Sequence, residues 1–550
     1  MISRRQFLNS VTAGTLFLAG CRSPFFSTHS RRKPSFRVLY SNDTTNITSC
    51  VSPWHRKGEP FRPKMLEATI DEAAGVDAHL LQPGLCWVPW WKSKTYPVED
   101  HYRWMKDKYG VDPDSFGRYM IEGGDIVKVF VDRCRMRGQA PFISFRLNDG
   151  HHKEWVDAKP GEKVGGGASQ GITRFYHEHP EYRIGSDLNN WNQRVHDWVF
   201  PEVRAHKLAF IRELCENYDI DGLELDFLRH CSLFQFDKTT REQRCSIMTG
   251  FVKQVRDLLD RTVKPGQHRW LCVRIPCYLA AHDLLGIDVA AFADAGVEMF
   301  NLSSYYVFEQ QTDVAAVRKL VPSSAVYAEM THTTRVGPKV SSVSGYDDFS
   351  FRRTADEQFY TTAHLAYARD LDGVSTFNFV YYRDHGTPLR GPFGEPPFHI
   401  FKHLKDPSWL AKQPQYYFIT RAHDAPPVPN RQMGSKKPRT VKTGVVTDFV
   451  LDMAPPAGGW EKGGVLRVQT NAPMQKHVLA ARLNGLLLKP TKNVAEPYVS
   501  PHMQLLGTAD KLRAWTVPAE VLCDGKNRVE FTIESGGSSV ELVFLDLAVR

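Results

Sequence analysis

Two carboxyl groups two residues apart inside an apolar run are the first feature of this chain whose spacing could do chemistry. In Ile220-Asp221-Gly222-Leu223-Glu224-Leu225-Asp226-Phe227-Leu228-Arg229-His230 the acids Glu224 and Asp226 alternate with apolar residues before the run ends in polar ones. Side chains alternate faces along a strand, so these two carboxyls point the same way. Burying both is costly unless something offsets it. An ion pair with Arg229 or another cation would do so; the chemical alternative is an acid/base site at the carboxyl end of the strand.

A strand of this kind needs a frame, and the chain repeats one unit from Phe36 to about Lys405: a short apolar strand, a polar loop, an amphipathic helix. Eight strands are predicted, over 37–41, 78–82, 140–147, 221–227, 270–275, 298–303, 325–330 and 374–380. Three helix-to-strand joints, Ala74-Gly75-Val76-Asp77, Ala295-Gly296-Val297-Glu298 and Asp372-Gly373-Val374-Ser375, carry a glycine suited to a left-handed helix end. The segment 201–218 opens on Pro201 and places Leu208, Ile211, Leu214, Cys215 and Tyr218 on one face, and Thr354 with Glu357 reads as a capping box. Eight such units predict an α/β fold, a (β/α)8 TIM barrel, over 36–410. The rival, an open doubly wound sheet, lacks a GxGxxG after an early strand.

Barrels of this type do their chemistry at the carboxyl ends of the strands. Those ends are polar here: Asp43, Gln82, Arg146 with Asn148 and Asp149, Asp226 to His230, Arg274, Tyr305, Glu329 with His332, and Asn378 with Tyr381. The amino ends are plainer. The loop 150–200 carries His151, Trp155, Tyr176, His177, His179, Trp191 and Trp198, rings that either wall a sugar cleft or hold the loop together. Glycoside hydrolysis takes two carboxyl groups. Asp226 lies nearest the exit of the fourth strand, and Glu224 lies about 6–7 Å deeper from two residues of strand rise, as a supporting group or a partner of Arg274. Glu329 on the seventh strand lies between Ala328 and Met330, and apolar flanks would raise its pKa. The expected catalytic set is therefore Asp226 with Glu329, Glu224 behind them. The substrate contacts expected are Asp43, Gln82, Arg146, Asn148, Asp149, His151, Arg229, His230, Arg274, Tyr305, Asn378 and Tyr381. A metal-dependent reading would use His151, His177 and His179 with acids, but no HxH stands on the first strand, so neither metal nor cofactor is expected.

The chain has 550 residues and a formal charge of +9. Its length requires more than one domain. No dense Lys/Arg run lies in the folded part, which argues against nucleic acid. The ten cysteines show no CxxC or zinc spacing. Residues 1–21 read as a targeting segment: Ser3-Arg4-Arg5-Gln6-Phe7-Leu8 resembles a twin-arginine export signal, and Leu18-Ala19-Gly20-Cys21 resembles a lipobox. Together they imply export in the folded state, a periplasmic or cell-surface location, and membrane attachment through lipid on Cys21. Residues 22–35 read as a tether and the Pro-rich, basic 411–440 as a linker. Over 441–550 helical periodicity gives way to short alternating runs with turn signals at Asn484-Gly485 and Asp524-Gly525, which predicts a β-sandwich.

Two family resemblances add to these expectations. Tyr218-Asp219-Ile220-Asp221-Gly222 with Asp226-Phe227-Leu228-Arg229 resembles the fourth strand of family-10-like glycosyl hydrolases, whose strand reads YDxDGxxxDxxR. That resemblance implies a (β/α)8 fold and hydrolysis of a poly- or oligosaccharide; the alternative is a surface lipoprotein that binds carbohydrate without cleaving it, with its carboxylates paired off with arginine. The pattern departs from others: Leu228 stands where chitinase-like barrels place a Glu, Leu223 where many retaining barrels place an Asn, and Glu224 where α-amylases place an Arg. Leu483-Asn484-Gly485, Val517-Pro518 and Gly525-Lys526-Asn527-Arg528-Val529 resemble jelly-roll modules appended to glycoside hydrolases, which bind sugar or brace the barrel.

Overall fold

In a computed structural model the described residues are 33–42, 56, 59–151, 153–162, 164, 171–339, 349–384, 393–420, 439–474, 476–498, 508–537 and 539–550. Residues 1–21, expected to direct export, with Cys21, and Asp43 lie outside them. Eight parallel strands close into a barrel: β1 Val38–Ser41, β2 Ala78–Leu81, β3 Ala140–Arg146, β4 Gly222–Asp226, β5 Trp270–Pro276, β6 Met299–Ser303, β7 Ala325–Thr331 and β8 Gly373–Phe377. Each expected strand is present. The helices α1 Pro63–Glu72, α2 Ile126–Met136, α3 Pro201–Asn217, α4 Arg241–Thr262, α5 Val289–Asp294, α6 Val314–Leu320 and α7 Asp356–Ala368 bring the chain back between strands. Among the described residues no helix is long and apolar enough to cross a membrane.

Alternation along the strands builds the interior in layers. The floor is apolar, with Leu39, Leu80, Phe142, Met299 and Tyr327 in one buried cluster. Gly222 belongs to this floor: a Cβ there would lie 2.1 Å from the Phe142 ring, so β4 must start on glycine for Phe142 to fill the barrel. The signature residues before it serve the amino face. Tyr218 donates to Asp125 (2.6 Å), Asp221 pairs with Arg135 (2.6 Å) and Asp219 with Lys264 (3.1 Å). Above the floor the inward positions turn polar, and that change of character makes the site.

The C-terminal region is a β-sandwich. Gln415–Ile419, Ser539–Val549, Gly464–Thr470, Leu512–Val517 and Lys489–Thr491 form one antiparallel sheet, and Thr447–Met453, Gly525–Ser535, Val478–Leu483 and Leu486–Leu487 form the other. Asn484 and Gly485 both adopt positive φ (48° and 88°) and make the expected hairpin turn. Two expectations are corrected. Gln415–Ile419, placed by sequence in the linker, is a strand of the sandwich paired with Ser539–Val549, because its run Tyr416-Tyr417-Phe418-Ile419 has apolar surface to bury. The cap of α7 is not Thr354 with Glu357: the Gln358 side chain accepts from the Ala355 N–H (2.9 Å), while the Thr354 hydroxyl donates to the Thr331 carbonyl (2.7 Å).

The sandwich is bonded to the barrel. Phe418 and Phe544 join the barrel's own apolar cluster. Gln310, after β6, accepts from the Phe418 N–H (3.0 Å) and donates to the Tyr416 carbonyl (3.2 Å). A buried chain of polar contacts then runs from Arg352 to the Tyr416 hydroxyl (2.8 Å) and on to Asp546 (2.9 Å), which Arg467 grips through Nε at 2.9 Å and Nη2 at 2.5 Å. Among the described residues of the sandwich the exposed large apolar side chains are aliphatic, Val445, Val446, Val450, Val478, Leu486 and Leu487, and the Trp460 ring is half-buried. These observations favour the bracing role. Removing one partner of a buried ion pair costs roughly 3 kcal/mol or more. Asp546→Ala is therefore expected to lower the unfolding free energy by that amount and to move the urea midpoint down with it, followed by tryptophan fluorescence; an unchanged midpoint would show that the network holds nothing.

Candidate active site at the barrel mouth

The upper inward positions carry alternating charge. Register places Arg146 beside Asp226 and Asp226 beside Arg274. Arg274 is the hub and is 1 % exposed. Its Nε and Nη2 donate to Glu329 Oε2 and Oε1 (2.7 and 2.6 Å), a bidentate pair. Nη1 donates to Asp226 Oδ1 (3.1 Å), and Nη2 also reaches Ser303 Oγ (3.0 Å) and the Tyr305 carbonyl (3.1 Å). The Phe377 ring lies 4.2 Å from the guanidinium. Burial works against the charge, but Glu329 and Asp226 overcome it and hold the arginine pKa well above its ordinary value.

The two expected catalytic carboxyls are thus brought to one guanidinium, in different states of engagement. Glu329 accepts from Arg274 twice, from Asn301 Nδ2 (3.2 Å) and from the Ser303 hydroxyl. Asp226 uses Oδ1 alone, for Arg274 and for the Leu228 N–H (2.9 Å). Among the described residues nothing donates to Asp226 Oδ2. The expectation of an apolar setting for Glu329 is corrected: Ala328 and Met330 face out of the barrel, and the carboxyl between them meets Arg274. Four donated hydrogen bonds fix this carboxyl in place beside Arg274.

Glu224, one layer down, is fully buried and is not the partner of Arg274, because Glu329 and Asp226 occupy that guanidinium. It accepts instead from Ser144 Oγ (2.7 Å), Asn301 Nδ2 (3.1 Å) and the Cys272 thiol (3.5 Å). Burial, reinforced by the charge of Asp226, lifts its pKa to about 7, against the pull of Ser144 and Arg274.

From Arg274 the network crosses the mouth. The Tyr305 hydroxyl donates to the Arg229 carbonyl (2.9 Å) and accepts from Arg229 Nη1 (2.8 Å). Arg229 Nη2 donates to His151 Nε2, and His151 Nδ1 donates to Asp149. Asp149 accepts in addition from Arg146 (3.3 Å) and the Cys86 N–H (3.3 Å). Burial opposes the Asp149 carboxylate, but His151 and Arg146 hold its pKa well below the usual range; burial and the Arg229 charge push His151 down, so its ring is neutral. Tyr305, Asn378, Cys86 and Trp87 all carry positive φ (74°, 62°, 52° and 62°) without being glycine. Tyr305 and Asn378 lie just past the ends of β6 and β8, and strain of this kind gathers at functional sites, whereas Cys86 and Trp87 are the two-residue turn of the hairpin Gly84–Leu85 with Val88–Pro89.

Cys86, Asp149 and His151 bring ligand-type atoms within 4.8 Å of one another. Their contacts do not fit a metal centre: Arg146 occupies Asp149, Arg229 caps the free nitrogen of His151, and burial pushes the Cys86 thiol well above its ordinary value. His179 pairs with Glu181 (2.8 Å), and His177 packs against Trp104.

Other expected contacts are placed differently. Asn148 donates to the carbonyls of His196 (2.9 Å) and Ser232 (2.7 Å), tying two loops together, and Gln82 donates to Gly84 (2.9 Å). Asn378 and Tyr381 lie beyond β8, where Tyr381 packs against His332 with centroids 5.3 Å apart. The rings of the long loop largely hold it together: Phe175 stacks on His206 at 4.0 Å and Trp87 on His196 at 4.7 Å. An indentation of about 310 Å3 lies beside the mouth, lined in part by Gln82, Trp87, Trp91, Arg146 and Asp149.

Several participants escaped the sequence reading. Asn301 and Ser303 show the same two-residue alternation on β6 as the acids on β4, a signal that could have marked them. Lys207 on α3 is fully buried with Nζ 2.9 Å from the Trp87 ring centroid, and only the fold reveals that contact.

No protein-family model and no curated protein matches this chain. Among solved structures, a class V chitinase from Pseudomonas fluorescens Pf-5 is similar at 11% identity, covering 64% of this chain and 97% of that one, with a TM-score of 0.35. The α-L-fucosidase isoenzyme 1 from Paenibacillus thiaminolyticus matches at 13% identity over 91% and 97% of the two chains, TM-score 0.32. The catalytic domain 2 of the Ostrinia furnacalis Group II chitinase matches at 12% identity over 68% and 98%, TM-score 0.36. Likeness this slight assigns neither family nor activity.

The raised pKa of Glu224 has a consequence for stability. A carboxyl that binds its proton more tightly when folded contributes fully below about pH 4.5 and loses that contribution as pH rises through about 7. The loss amounts to roughly 3 kcal/mol. Urea unfolding at pH 4.5 and pH 8 is expected to show Glu224→Gln losing less stability than the parent by roughly that amount; parallel pH dependence in both would place the titration elsewhere.

Proposed function

We propose that the protein is a glycoside hydrolase acting on a poly- or oligosaccharide at the carboxyl face of its barrel. The observation that carries this reading is the pair Asp226 and Glu329 on a single buried guanidinium, at the face where (β/α)8 enzymes do chemistry. Asp226 is the group that meets the sugar, because its Oδ2 is uncommitted while the other three carboxylate oxygens of the pair are bonded within the protein. It acts on the anomeric carbon directly or by taking a proton from an attacking water, while the leaving oxygen takes its proton from solvent at the mouth as its bond to that carbon breaks. Glu329 acts through Arg274, fixing where the positive charge lies and how Asp226 is turned. The signal and lipobox at residues 1–21 add export through the twin-arginine route and anchoring at Cys21 to this proposal.

A second reading is a carbohydrate-binding surface lipoprotein without turnover. It is favoured by the same ion pairs, since both carboxylates already rest on arginine. Hydrolysis of a polysaccharide panel by reducing-end release separates the two. Asp226→Asn is expected to lower turnover by ~10^2–10^4-fold with an unchanged near-UV spectrum. Glu329→Gln is expected to lose turnover together with stability, because it leaves Arg274 half paired. Parent protein that binds but never cleaves would establish the binding reading, and full activity in Asp226→Asn would remove that residue from the chemistry.

A further inference from the structure

At the corner of the mouth where the loops after β3 and β4 meet, one buried cation stands without a bonded counter-ion. Arg194 is 5 % exposed, yet among the described residues it makes no ion pair and its guanidinium donates no hydrogen bond. A buried guanidinium left in that state is costly unless an acceptor arrives from outside. It lies 4.2 Å from the Trp191 ring, which stacks on His230 with centroids 4.1 Å apart. The Gly150 N–H donates to His230 Nδ1 (3.2 Å), so the neutral ring carries its proton on Nε2. That Nε2, like Arg194 Nε and Trp191 Nε1, is buried with no hydrogen-bond partner.

Two of these orphaned donors, His230 Nε2 and Arg194 Nε, face a common space. A Cβ built on Gly150 would lie 2.9 Å from His230 Nε2 and 3.0 Å from Arg194 Nε, so the absence of a side chain at 150 keeps the gap between the two donors open. Glu154 and Asp149 are the acids whose charge reaches Arg194, but neither bonds to it, and Asp149 is already held by His151 and Arg146. Arg229 adds a second guanidinium, 5.8 Å from the Trp191 ring.

We infer that this corner holds the anionic substituent, a carboxylate or a sulfate, of an acidic sugar bound at the barrel mouth, with Arg194 and His230 as donors and Arg229 as the neighbouring charge. The inference rests on the carbohydrate reading of the site and narrows its substrate class. It is tested on the full chain by titration calorimetry at fixed ionic strength with short oligogalacturonate, oligomannuronate and sulfated oligogalactose, each beside its neutral counterpart. At least one acidic ligand is expected to bind at least tenfold more tightly than its neutral counterpart, and the two acid types separate carboxylate from sulfate. Arg194→Met, which keeps an apolar stem over Trp191, is expected to abolish that preference, whereas Arg482→Met, an equal charge loss on the exposed sandwich surface, is expected to preserve it. Equal binding of acidic and neutral ligands, or equal losses in the two variants, would overturn the inference. Cleavage of neutral sugars alone would overturn it while leaving the hydrolase intact; acidic sugars bound through Arg194 but never cleaved would leave this site standing and remove the hydrolase.

Discussion

A charged guanidinium inside a barrel is the constraint on which the upper half of this structure depends. Arg274 cannot be buried on β5 unless carboxylates meet it, and two other strands supply them: Asp226 from the adjacent β4 and Glu329 from β7, one strand beyond β6, with Ser303 and the Tyr305 carbonyl also accepting from Nη2. The contact with the Tyr305 carbonyl holds the residue whose backbone adopts φ 74° and whose hydroxyl binds Arg229. One buried charge therefore fixes the pair of acids and also the loop that carries the network across to His151 and Asp149. The pair is uneven as a result, with Glu329 wholly engaged and Asp226 left with one oxygen toward the mouth.

Below that layer the interior separates two protonation states. Glu224 and Asp226 share a strand face, two residues apart, yet only Asp226 reaches Arg274. Glu224 is left among a serine, an amide and a thiol, where burial keeps its proton to about pH 7. Holding the deeper acid neutral limits the repulsion that a second carboxylate would exert on Asp226. The same alternation that places these groups also builds the apolar floor, so the site and the barrel core are one piece of packing.

The barrel was legible because strand and helix periodicities are local, and because polar residues crowd the carboxyl ends of the strands. The inward direction of Glu224, Asp226, Arg274 and Glu329 followed from strand alternation alone. Their partners did not, since which carboxyl meets Arg274 is settled by the stagger of strands far apart in sequence. Asn148 reads as a ligand in sequence but spends its amide on two loop carbonyls. The motif Tyr218 to Gly222, which carries the family resemblance, serves the amino face and the Phe142 floor; of the whole signature Asp226 and Arg229 reach the mouth. The strand Gln415–Ile419 was hidden because the Pro-rich segment that follows it dominates the local composition. Lys207 and Arg194 carry no sequence signal at all, since their meaning lies in the tryptophans brought to them by the fold.

The central claim is that Asp226, held by Arg274 and Glu329, is the point at which a sugar meets this protein. A crystal structure of the Asp226→Asn variant with an oligosaccharide bound tests it most directly. A sugar ring is expected in the barrel mouth, with its anomeric carbon beside the residue 226 side chain and Glu329 still paired with Arg274. Sugar bound on the sandwich or on the outer wall of the barrel, with residue 226 untouched, would contradict it.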